Sequence, residues 1–148
     1  MISNYPYSYL FKDADFVLLN ETMNTNYITL KDYYTFNQMA KGRPFGGLTV
    51  YIKPYLNPEL IVQTENIIFT STSICRFLLC YFNPDTAVDE IVSCLYEVLN
   101  KHNFETRPMM IIGDFNCKVD TENIKGNTLV KLSLKLVVVV IPPLFNHT

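Results

Sequence analysis

Two apolar runs in this 148-residue chain end in side chains that could do chemistry. Phe16-Val17-Leu18-Leu19 runs through Asn20 into Glu21, and Met110-Ile111-Ile112-Gly113 runs into Asp114 and Asn116. Runs this short and this apolar read as core strands. Folds of the α/β class build ligand sites just outside the carboxyl ends of such strands. Side chains alternate between faces in extended backbone, so Asp114 and Asn116 would aim a carboxylate and an amide at one point. If Glu21 converges there, the site holds two carboxylates and a neutral hydrogen-bonder. Carboxylate oxygens with retained waters are what Mg²⁺ prefers. Such an ion would stabilise charge on a phosphoryl oxygen and its leaving group during hydrolysis. A plainer role competes, because Asp and Asn after a strand commonly bond their own backbone in a turn.

These positions need elements to hold them. The Asp15–Leu19 run suits a strand buried on both faces, and Tyr33–Gln38 is aromatic and extended. Gly and Pro punctuate Lys41–Gly47 as a loop or hairpin turn. Leu48–Ile52 follows with period-two alternation, stopped by Pro54. Glu59–Gln63, Asn66–Thr72 and Ile74–Phe82 are closely spaced β-rich runs that predict an antiparallel meander. Thr86 with Asp89 has capping-box character, and Val88, Ile91, Val92, Leu95, Val98 and Leu99 then recur at helical spacing. Lys101 and His102 fall in the last turn, where surface cations complement the helix dipole. A strand over Met109–Gly113, a short helix over Asn127–Leu134 and a last strand over Leu136–Ile141 complete a mixed α/β domain of layered type.

Composition bounds the function. Twelve basic and 14 acidic side chains leave a formal charge of −2, and the length suits one domain. Hydrophobic residues at 49% and charged residues at 18% exclude a disordered chain. The sequence pI of about 5.6 excludes a globally basic nucleic-acid binder, although a local basic groove suffices for phosphate contact. Met1–Leu10 carries no basic and apolar leader, and the apolar tract Leu136–Ile141 is far short of a bilayer span. The four cysteines form no CxxC pair and read as reduced, buried thiols. An intracellular protein, in the nucleus or cytoplasm and without a membrane partner, is the expectation.

The exact residues carry a resemblance. Ile111-Ile112-Gly113-Asp114-Phe115-Asn116 resembles the GDFN signature of the endonuclease/exonuclease/phosphatase superfamily. Asp15-Phe16-Val17-Leu18-Leu19-Asn20-Glu21-Thr22 is similar to its second motif, an apolar strand ending in Gln-Glu-Thr, with Asn20 in place of Gln. Gly42-Arg43 followed by Gly46-Gly47-Leu48-Thr49-Val50 is similar to its Gly-Arg-x-x-Gly-Gly stretch. Tyr81-Phe82-Asn83-Pro84-Asp85-Thr86 resembles its Tyr-containing strand end before a helix. The four motifs occur in family order over roughly residues 10 to 140, closest in flavour to the endonuclease domain of LINE-type (non-LTR) retrotransposons.

The resemblance implies a four-layer α/β/β/α sandwich and hydrolysis of DNA phosphodiesters with Mg²⁺, or Mn²⁺ in its place. It makes Glu21 a metal ligand and gives Asp114 the attacking water. Asn116 would hold the scissile phosphate, Tyr81 would contact that phosphate in the transition state, and Arg43 would meet the DNA backbone. The chain also departs from the family. Only 20 residues precede Glu21, too few for the family's first strand with its metal-binding Asn and a helix. No Ser-Asp-His follows Asp114; His147 stands in Phe145-Asn146-His147-Thr148 and reads as a tail residue. The domain expected over residues 1–148 is therefore partial, incomplete at both ends. Losing an Asp-His pair typically costs 10²–10⁴-fold in rate. A catalytically inactive remnant that keeps the fold core is accordingly the alternative, and RNA or a phosphoinositide the alternative substrate.

Overall fold

Leu48–Ile52 (β3) is paired along both edges, and that central place organises the first sheet. A computed structural model describes residues 11–22, 29–40, 46–102, 107–116 and 139–141 of the chain. Phe16–Asn20 (β1) and Tyr34–Gln38 (β2) flank β3, both antiparallel to it, with Leu18 and Phe36 opposite Val50. All five β3 residues are buried. The expected alternation in sequence is present, but both faces are covered, so it does not appear as alternating exposure. For β1 the difference runs the other way. Only Val17 is buried, because β1 pairs along one edge among the described residues and stays partly open to solvent.

The second sheet has the order β4-β5-β6-β7-β8. Glu59–Gln63 (β4), Ile67–Ser71 (β5) and Arg76–Tyr81 (β6) form the expected antiparallel meander. From β6 the chain crosses over through Val88–Lys101 (α1) to Met109–Asp114 (β7), which lies parallel to β6, as a strand reached through a helix usually does. Val139–Ile141 (β8) adds a second parallel pair. The rest of the expected last strand and the short helix at Asn127–Leu134 lie outside the described residues.

Alternation sorts the core into two slabs. Ile67, Phe69, Leu78, Cys80 and Ile111 meet the helical stripe Ile91, Leu95, Val98 and Leu99. The opposite face of the same sheet presents Ile68, Leu79, Tyr81 and Ile112 to Leu48, Val50, Ile52, Phe16 and Phe36 of the first sheet. Phe16 and Phe77 meet across that gap with ring centroids 4.3 Å apart. The fully buried side chains among these, such as Ile67, Leu48 and Val50, contribute about 1.5–3 kcal/mol each. The described residues thus build three layers, a helix on a five-stranded sheet on a three-stranded sheet. At the β2–β4 margin, Gln63 Nε2 donates to the Asn37 carbonyl and to Gln38 Oε1, both at 2.9 Å.

The helix begins one residue later than its capping signal. Ala87 occupies the N-cap with extended backbone and no side-chain cap bond. Thr86 is drawn into the preceding turn, its N–H donating to the Asn83 carbonyl at 2.9 Å. Asp89 and Glu90 in the first turn and Lys101 in the last still complement the dipole. His102 is half-buried, edge-on to Phe69 at 5.7 Å, rather than a free surface group. No helix among the described residues is long and apolar enough to cross a membrane.

Candidate functional site

The parallel register of β6 and β7 sets Tyr81 opposite Asp114 at the carboxyl ends of both strands. Alternation turns both toward the first sheet, as it does Leu79 and Ile112. That register demands close backbone approach. A Cβ on Gly113 would lie 2.1 Å from the Cys80 carbonyl oxygen, so only glycine fits there. A glycine inside a strand is the sequence sign of such an approach.

The first sheet delivers Glu21 to the same end. Glu21 follows β1, and the N–H of Thr22 donates to the Gly47 carbonyl at 3.3 Å, tying the strand exit to the entry of β3. The Tyr81 hydroxyl then donates across the gap to Glu21 Oε1 at 2.9 Å. Gly46 and Gly47 have φ of 99° and 92°. At Gly46 it is this backbone, and not space, that requires glycine, since a Cβ would stop 3.8 Å from the Tyr81 ring.

Asp114 and Asn116 come together, but not through extended backbone. The strand ends at Asp114, and Asn116 has a left-handed φ of 48°. Its N–H donates to Asp114 Oδ1 at 2.8 Å, the turn bond that Asp forms readily after a strand. The Asn116 amide Nδ2 donates to the Phe82 carbonyl. Glu21 too is left-handed, at φ 53°. Asp32 and Asn57, beyond the opposite ends of β2 and β3, are left-handed as well, so this backbone is not peculiar to the site.

Burial first, then the Glu21 bond and charge, push the Tyr81 phenol up to about 12, with Asn116 opposing. The phenol is therefore a neutral donor at physiological pH. The described Lys and Arg residues lie elsewhere. Lys12 and Lys31 precede β1 and β2, Lys53 follows β3, Arg76 opens β6, Lys101 ends α1 and Arg107 precedes β7. Strand direction puts all of these at the opposite end, so among the described residues the site is acidic. No group of three His, Cys, Asp or Glu side chains gathers among the described residues. The hard-oxygen set comprises the carboxylates of Glu21 and Asp114 around one phenol. Asn20 Oδ1, one residue from Glu21, is buried without a hydrogen-bond partner.

Four of the five residues singled out in the sequence, Glu21, Tyr81, Asp114 and Asn116, therefore share one end of the sandwich. Arg43 lies outside the described residues; Ala40 and Gly46, on either side of its loop, approach each other beside Tyr81. Sequence reading did not find the Tyr81–Glu21 bond or the use of the Phe82 carbonyl, because both depend on packing. No family model, curated protein or solved structure matches this chain. Fold and site define a mixed α/β protein with two stacked sheets and, at one end of them, a phenol-centred site that is acidic among the described residues.

Proposed function

We propose that the protein is a Mg²⁺-dependent phosphodiester hydrolase of the endonuclease/exonuclease/phosphatase kind. Within that class we read it as a DNA endonuclease domain of retrotransposon origin, with a four-layer sandwich of which three layers are described above. The observation that carries the reading is convergence. Asn20-Glu21-Thr22, Gly46-Gly47, Tyr81 and Asp114-Phe115-Asn116 are dispersed along the chain, yet they meet at one end of the two sheets.

The donor set fits the cation. Mg²⁺ is usually held by one or two carboxylates with retained waters, and Glu21 and Asp114 supply two on an end bare of described cations. Bound there, the ion would supply positive charge to the phosphate oxygens and the leaving group. Asp114 has Oδ1 engaged by Asn116, which leaves Oδ2 to orient a water and accept its proton. Asn116 braces the turn through its N–H and the Phe82 carbonyl through its amide, and that amide would reach a phosphate by giving up the Phe82 bond. Arg43 is proposed to meet the DNA backbone.

Nicking of supercoiled plasmid by the full chain, with Mg²⁺ and with EDTA, tests this. The expected result is cation-dependent nicking that falls by about 10²-fold or more in both Glu21→Ala and Asp114→Ala. Nicking that survives Asp114→Ala would sink the reading. A folded wild type that binds DNA or Mg²⁺ without nicking would point instead to the inactive remnant. Cleavage of RNA or a phosphoinositide in place of plasmid would keep the class and change the substrate.

A further inference from the structure

Tyr81 is where the two halves of the site meet. Its ring is buried between the sheets, with Gly46 against one edge, so packing fixes where its hydroxyl can reach. That hydroxyl has one hydrogen, and it is given to Glu21 Oε1 at 2.9 Å. Glu21 is the opposite kind of residue. It is exposed, it stands on left-handed backbone beyond the end of β1, and no second group holds its carboxylate among the described residues. A carboxylate so placed keeps its rotamer freedom unless a neighbour removes it.

We propose that Tyr81 is a positioning residue that fixes Glu21 by Oε1 and thereby presents Oε2 to the divalent cation. This rests on the cation-dependent reading above and changes the part Tyr81 plays in it. A phenol that touched the phosphate would have to release Glu21 to do so and would leave cation affinity alone. A phenol that aims a ligand sets that affinity. Removing an outer hydrogen-bond partner from a ligating carboxylate typically costs 10–100-fold in metal affinity.

The test uses Mn²⁺ as the probe, titrated into the full chain and followed by electron paramagnetic resonance. Tyr81→Phe keeps the packed ring and loses only the hydroxyl. It is expected to bind Mn²⁺ about tenfold or more weakly than wild type, with an unchanged circular dichroism spectrum and melting curve. Equal affinity in the two proteins would overturn the positioning role and leave the hydrolase reading standing. Should Tyr81→Phe melt earlier, the two titrations are compared at a temperature where circular dichroism shows both proteins folded; undiminished Mn²⁺ binding there overturns the proposal. A wild type whose Mn²⁺ binding is nil, or no different from that of Glu21→Ala, overturns the cation site and this inference with it.

Discussion

The two ends of β6 are both polar, and they use polarity in opposite ways. At its amino end Arg76 is buried and its Nη2 donates to the Arg107 carbonyl at 3.1 Å, while Arg107 donates to the carbonyl of Thr72. Thr72 Oγ1 donates to the Cys75 carbonyl at 2.8 Å and accepts its N–H at 3.1 Å. Side chains there are bonded to backbone, which is what closing a loop and satisfying a buried strand end require. At the carboxyl end Tyr81 reaches a side chain from the other sheet, next to a second carboxylate. Backbone-directed bonds stabilise a fold. Side chains that hold each other across two sheets, with carboxylate oxygens left over, are spare chemistry.

The sharpest way to break this contrast is Gly113→Ala. The added methyl has no room beside the Cys80 carbonyl, so the β6–β7 register must shift where the site is built. A loss of about 3 kcal/mol or more in urea unfolding is expected, together with loss of Mn²⁺ binding; a near-neutral Ala variant would mean that the register does not hold the site. Arg76→Met should do the reverse. Leaving the Arg107 carbonyl without its donor costs about 1–3 kcal/mol, yet Mn²⁺ affinity should match wild type, since Arg76 lies at the other end of the strand. A fall in affinity would show that the two ends are coupled.

The smallest effect concerns pH. Burial holds the Cys80 thiol well above its ordinary 9.0. The unfolded thiol therefore ionises first, and the stability linked to this group is present below pH 9 and lost as the pH climbs beyond it. Cys80→Ala should flatten the alkaline fall in melting temperature without steepening it anywhere. A slope unchanged between the two proteins would place the alkaline sensitivity elsewhere, with Cys94 or Tyr81, whose pKa values are also raised by burial.

What could be read from the sequence follows from the range of the forces involved. The stripe Ile91, Leu95, Val98 and Leu99 was legible because helical periodicity is local, and all four are buried. Where the helix starts was not, because Thr86 serves the Asn83 turn instead of the cap. For β3 the apolar residues were legible and their surroundings were not, since a strand does not record what covers its second face. At the site, Asp114 and Asn116 were found by proximity in sequence, although a turn brings them together and not a pleat. That Glu21 and Tyr81 touch depends on how two sheets stack, and no local pattern encodes that distance.

The bond from Gln63 to Asn37 and Gln38 has a mechanical consequence. It fastens the two sheets at the β2–β4 margin, and Tyr81 with Glu21 fastens them on the β1 side. Two fastenings at one end of the sandwich oppose its opening like a jaw. The carboxylates of Glu21 and Asp114, carried one on each sheet, therefore travel together.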